Sequence, residues 1–276
     1  MTHATLHDGA HLPLHLTGDG PTVLLAVNPD PVEGPQAEAM RAWGADPALG
    51  RNLIAGLADR FRVVAFDYEG HLQRHPKPGT LTPDNVAADL LAVADAAGAD
   101  RFAYYGYSWL ALAGLQLALR TDRLSALVMG GYPPIDGPYR QMLAVTTAAH
   151  AMATAPAQPA GEVVAGDWST VQVTSTEAQT RQFVTLYQAL RAFDDRAADL
   201  GCPRLCVVGS ADTIAYGPAW GGVVVDIAGP LLRDRACAEA RGWDVAVLDG
   251  LDHMGAMQAA AVLPVLRPWL ADRLPR

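Results

Sequence analysis

Apolar residues in this chain fall into two kinds of run: short continuous blocks, and longer stretches in which apolar positions recur every three or four residues. The blocks are TVLLAV (22–27), FRVVAFD (61–67), RFAYYG (101–106), LSALVMG (124–130), RLCVVGS (204–210) and WDVAVLDG (243–250). Blocks of this length bounded by Gly, Pro, Asn or Asp predict strands buried on both faces. Helical spacing predicts helices over about 47–58, from Pro83 to Gly98, from Ser108 through LALAGLQLAL, near 227–240 and over 256–270. In the second of these, Thr82-Pro83-Asp84 supplies the start and Val86, Leu90, Leu91, Val93 and Ala94 the buried face. Strands alternating with helices imply a parallel sheet. Ahead of them, Asp8-Gly9 within 5–16 predicts a hairpin of two short antiparallel strands that opens the sheet.

The alternation breaks between 132 and 200. Helical stretches there are separated by the Pro- and Ala-rich APAQPAG (155–161), and a Thr174-x-x-Glu177 capping box opens a helix with Phe183, Leu186, Tyr187 and Leu190 on one face. The expected organisation is a core domain of residues 1–132 and 200–276, with 133–199 inserted as a helical cap. The uncharged stretch 102–119 has roughly the length of a membrane span. Gly106, Ser108 and Gln116 interrupt it, and its halves read as a buried strand turning sharply into a buried helix.

Length and composition agree with one large α/β unit: 276 residues, half of them hydrophobic, 18% charged, with mean hydropathy +0.11. That is ample for a core and unlike a disordered chain. A net charge of −9 repels phosphate backbones and anionic lipid, so neither nucleic acid nor a membrane surface is an expected partner. The N-terminus has no secretory pattern, and Cys202, Cys206 and Cys237 are an odd set without metal-type pairing, which reads as reduced thiols in a cytoplasmic protein. His3, His7, His11 and His15 recur every fourth residue, but in a hairpin that spacing makes surface residues, and no metal site is expected.

The chemistry centres on the strand-to-helix turn Gly106-Tyr107-Ser108. A serine there exposes its hydroxyl at a helix N-terminus, where free N–H groups can stabilise an oxyanion. It needs a histidine to take its proton and a carboxylate to orient the histidine. Asp212 follows the strand at 204–209, and His253 follows the strand at 243–248; the ends of adjacent parallel strands converge on one sheet edge. Asp249 and Asp252 are the competing acids. His71, after the strand ending at Asp67, lies on the same edge and is a candidate substrate contact.

These elements, together with VVAFDYEGH and Tyr105-Gly106-Tyr107-Ser108, resemble the α/β-hydrolase superfamily with a serine nucleophile, over about 12–131 and 201–270. The resemblance implies a mostly parallel doubly wound sheet with a helical lid, a Ser108, Asp212, His253 triad, no cofactor, and hydrolysis of an ester, thioester or lactone of a small apolar metabolite. C–C bond hydrolysis, acyl transfer and ligand binding without turnover are the alternatives. Two positions depart from the family pattern. Leu110 stands where the elbow usually has glycine, which implies a looser turn. Val27-Asn28-Pro29 replaces the His-Gly start of the oxyanion loop, and proline has no N–H. The Trp109 amide is then one expected oxyanion donor and the Asn28 side chain, or the Asp30 amide, the other. Tyr107, His71, Met254 and Trp168 are the expected substrate contacts.

Overall fold

The computed structural model describes residues 2–156 and 163–274, and its centre is a seven-stranded sheet. In chain order the elements are β1 (His3–Thr5), β2 (His11–Pro13), β3 (His15–Thr17), β4 (Thr22–Ala26), α1 (Gly34–Ala42), α2 (Leu49–Leu57), β5 (Arg62–Phe66), α3 (Tyr68–Arg74), α4 (Pro83–Ala96), β6 (Phe102–Tyr107), α5 (Trp109–Ala118) and β7 (Leu124–Gly130). There follow α6 (Tyr139–Thr154), α7 (Glu177–Ala189), β8 (Arg204–Gly209), β9 (Thr213–Ala215), β10 (Val224–Asp226), α8 (Gly229–Arg233), α9 (Arg235–Ala240), β11 (Trp243–Leu248), α10 (His253–Met257) and α11 (Ala259–Arg273). The sheet order is β11-β8-β7-β6-β4-β5-β3, parallel except for the edge strand β3.

Alternation along each strand divides the core in two. Leu24, Val64, Tyr104 and Met129 face α4 and α5, while Leu25, Val63, Tyr105 and Val128 face α2 and α11. Both faces are apolar because helices cover both, which is why these strands read as continuous blocks.

Several expectations are corrected. The hairpin at the N-terminus forms, but β1 and β2 pair only with each other, and β3 is the strand that joins the main sheet. The capping box lies two residues later than expected, with Thr176 and Gln179 satisfying each other's backbone N–H. The helix near 227–240 is two short helices, interrupted at Asp234, whose side chain caps α9. The closing helix is α11, preceded by the separate turn α10 that begins at His253. Of the linker expected at 155–161, residues 157–161 lie outside the described residues. No helix among the described residues is long and apolar enough to cross a membrane, the uncharged stretch being β6 and α5.

Hydrogen bonds tie the segment between β7 and β8 to α3, to the loop after α3 and to itself. The buried Gln182 of α7 accepts from Lys77 N–H (3.0 Å) and donates to the Leu72 carbonyl (3.2 Å). Within the segment, the Asp195 carboxylate accepts from the amides of Asp136 (3.0 Å) and Gly137 (2.8 Å), which joins its two ends.

Candidate active site

Ser108 occupies a backbone conformation that non-glycine residues rarely adopt, φ 58°, ψ −130°. Its amide donates to the Gly130 carbonyl at 2.8 Å, and its own carbonyl receives the amides of Ala111 and Leu112, so strand and helix lock the turn from both sides. The expected looseness from Leu110 is absent. Leu110 is buried in the core, and the close approach falls on Gly106, where an added Cβ would lie 2.4 Å from the Leu110 carbonyl oxygen.

Three loops bring the expected chain of groups together. His253 Nε2 lies 3.2 Å from Ser108 Oγ, and His253 Nδ1 lies 2.9 and 3.1 Å from the two Asp212 carboxylate oxygens. Asp212 is fully buried, and its carbonyl accepts from the amides of Ile227 and Ala228, which anchors the loop. The competing acids are occupied: Asp249 accepts from Ser210 Oγ at 3.2 Å, and Asp252 caps α10 through Gly255 N–H at 2.8 Å.

The Trp109 amide opens α5, so it belongs to the first turn, whose N–H groups have no acceptor within the helix. On the facing loop, the Asp30 amide donates to Asn28 Oδ1 at 3.1 Å and the Val27 amide to the Leu25 carbonyl at 2.9 Å. The Asp30 amide is therefore engaged, and it orients the Asn28 carboxamide. Asn28 does bond nearby backbone, and it does so through its oxygen.

Two expected substrate contacts are corrected. Alternation along β6 turns Tyr107 to the α2 and α11 face, where Gly130 and Gly131 cradle its ring and its hydroxyl donates to the His253 carbonyl at 2.8 Å. It supports the histidine loop instead of lining the site. His71 is 2% exposed, lies against His75 with ring centroids 4.9 Å apart, and its Nε2 has no partner; burial, then the nearby Lys77 ammonium, lowers its pKa. It points into the protein beneath α3. Trp168 and Met254 both approach the loop at Trp43 and Gly44: Trp168 makes an edge contact with Trp43 at 5.3 Å, and a Cβ on Gly44 would lie 4.0 Å from Met254 Cβ.

The buried indole N–H of Trp109 has no hydrogen-bond acceptor among the described residues.

His7 is also corrected from surface residue to tether: its amide and Nδ1 lie 2.7 and 2.9 Å from the Asp89 carboxylate, which also accepts from Tyr68 Oη at 2.7 Å. Cys206 is buried against the Tyr132 carbonyl, and burial raises its thiol pKa well out of the reactive range. Among the described residues, no group of three or more His, Cys, Asp or Glu is placed to hold a metal ion.

Residues 42–199 match the family described as the alpha/beta hydrolase fold. The chain is 30% identical over 241 residues to the Klebsiella pneumoniae (strain 342) protein named "Putative carbamate hydrolase RutD", covering 77% of this chain and 86% of that one. In structure it is similar to a thermophilic esterase from Thermogutta terrifontis, at TM-score 0.63 and 18% identity over 99% of this chain and 98% of that one. It is likewise similar to the enol-lactonase from Burkholderia xenovorans LB400, at TM-score 0.62 and 20% identity over 98% and 99% of the two chains.

Proposed function

Because the chain belongs to the α/β-hydrolase family, we propose that it is a serine hydrolase cleaving an ester, thioester or lactone of a small molecule through an acyl-enzyme at Ser108. The observation that carries this reading is the unbroken chain of contacts from Ser108 Oγ through His253 to the buried Asp212. His253 Nε2 takes the hydroxyl proton as Oγ attacks the carbonyl carbon, and Asp212 holds the proton on Nδ1 and stabilises the imidazolium. The developing oxyanion is met by the Trp109 amide and the Asn28 carboxamide N–H. His253 then returns its proton to the leaving group, and in the second half it deprotonates the water that releases the acid.

In this reading, residues 133–199 act as the cap over the site. Phe183 of α7 meets the Trp109 indole edge-on at 5.3 Å, directly beside the nucleophile, and Trp168 closes on Trp43 from the same segment. The similarity to a protein named as a carbamate hydrolase supports a second reading, cleavage of a carbamate by the same attack on a carbonyl carbon. A panel of short-chain esters, thioesters, lactones and carbamates tests both. Turnover of at least one class that disappears in Ser108→Ala is expected, and turnover that survives in a contaminant-free Ser108→Ala preparation contradicts the proposal.

A further inference from the structure

Trp168 opens the single turn Trp168–Thr170, which the Asp167 carboxylate caps by accepting from the Ser169 amide at 2.9 Å. Its indole stands between two rings from distant parts of the chain, Trp43 at 5.3 Å and Tyr216 at 6.3 Å between centroids. Each of those rings sits on a segment that leads to a member of the candidate triad. Trp43 precedes Gly44, whose carbonyl accepts from Gln258 Nε2 at 2.9 Å; the same Nε2 donates to the Met254 carbonyl at 2.6 Å. The turn at 43–44 is thereby fastened to α10, the helix that begins with His253. Tyr216 follows β9, which starts at the residue after Asp212, and its amide donates to the Val223 carbonyl at 3.0 Å, which continues the β9–β10 pairing.

The strap that carries Trp168 is seated on that hairpin. Trp220 Nε1 donates to the Val171 carbonyl at 2.9 Å, and a Cβ on Gly217 would lie 3.0 Å from Ser169 Cβ. Trp43, Trp168 and Tyr216 are each half-buried, so they make one partly exposed aromatic row across the segments that lead to His253 and Asp212. An indole set between two rings whose own segments are hydrogen-bonded in place has little room to yield to a bulky group. In the proposed reaction His253 gives its proton to the leaving group, so the leaving group departs toward the side of the site that this row borders.

We infer that Trp168 is a specificity residue whose indole limits the size of the leaving group. This narrows the proposed hydrolase to substrates with a compact leaving group, and it rests on the reading of Ser108 as nucleophile and His253 as its base. The test uses two phosphonates that leave the same ethyl methylphosphonyl group on Ser108, one expelling fluoride and the other 4-nitrophenolate. In each, Oγ bonds to phosphorus as the bond to the leaving group breaks, and the hydroxyl proton goes to His253. Labelling rates of Ser108 by the two probes are compared in the wild type and in Trp168→Ala, so that their different intrinsic reactivities cancel. Trp168→Ala is expected to speed the nitrophenyl probe about ten-fold relative to the fluoride probe, the scale on which a pocket discriminates by size. Trp168→Phe, which disturbs packing least, is expected to shift the ratio the same way by less, so the comparison holds even without a folded Trp168→Ala. A strap that merely loosens would change both rates together. A ratio that stays unchanged or moves the other way, with Ser108 still labelled, overturns the proposal alone; no label on Ser108 from either probe contradicts the serine-hydrolase reading and the proposal with it.

Discussion

At Ser108 the backbone stores strain that the close approach at Gly106 and the hydrogen bonds to Gly130, Ala111 and Leu112 hold in place, and the hydroxyl is thereby aimed at His253. The carboxylate behind His253 has the sharpest expected phenotype. Asp212→Asn preserves shape but favours the wrong imidazole tautomer, so the catalytic rate is expected to fall by about 10⁴-fold with little change in thermal stability. Rate measurements on Asp252→Asn check the assignment, because Asp252 only caps α10 and its loss should be mild by comparison. Asn28 is decided in the same way. Its Oδ1 accepts from the Asp30 amide, and Nδ2 is the atom proposed as the second oxyanion donor. Asn28→Ala is expected to slow the chemical step by about 10²-fold to 10³-fold, with substrate affinity nearly unchanged. An unchanged rate would leave Asn28 as a turn residue only.

Among the elements, α3 joins parts of the molecule that the sequence shows only separately. One side of it reaches the hairpin through Tyr68, Asp89 and His7, and α7 grips its end and the following loop. The hairpin adds an ion pair, Asp8 to the buried Lys77 at 2.5 Å. Burial opposes ionisation of Asp8, but Lys77 and the Ala10 amide outweigh it and lower its pKa. Because the folded value lies below the unfolded one, near 3.9, the stabilisation is complete above that pH and is lost as pH falls through the folded value. Asp8→Asn is therefore expected to lower the melting temperature at pH 7, and the gap to wild type should close at acid pH, as a pH series of thermal melts would show. The strands were legible because burial on both faces leaves them no polar positions. The seven-residue α3 was not, since YEGHLQR has too few apolar residues for a period, and neither was the position of His7, whose four-residue spacing means nothing without the strand pairing.

For the whole molecule, a parallel sheet gathers residues 108, 212 and 253 at one edge because each follows a strand in the row β6, β7, β8, β11. That logic needs only the order of blocks and turns, so the candidate triad could be read before any coordinates. Orientation across an element could not. Tyr107, whose place beside Ser108 suggests a substrate contact, is turned away from the site by strand alternation. In the proposed reaction His253 activates Ser108. Incubation of the intact protein with a fluorophosphonate, followed by peptide mapping, tests it most directly. One label per chain on Ser108, greatly slowed in His253→Ala, is the expected result; a folded protein that takes no label, or takes it on another residue, would contradict the account.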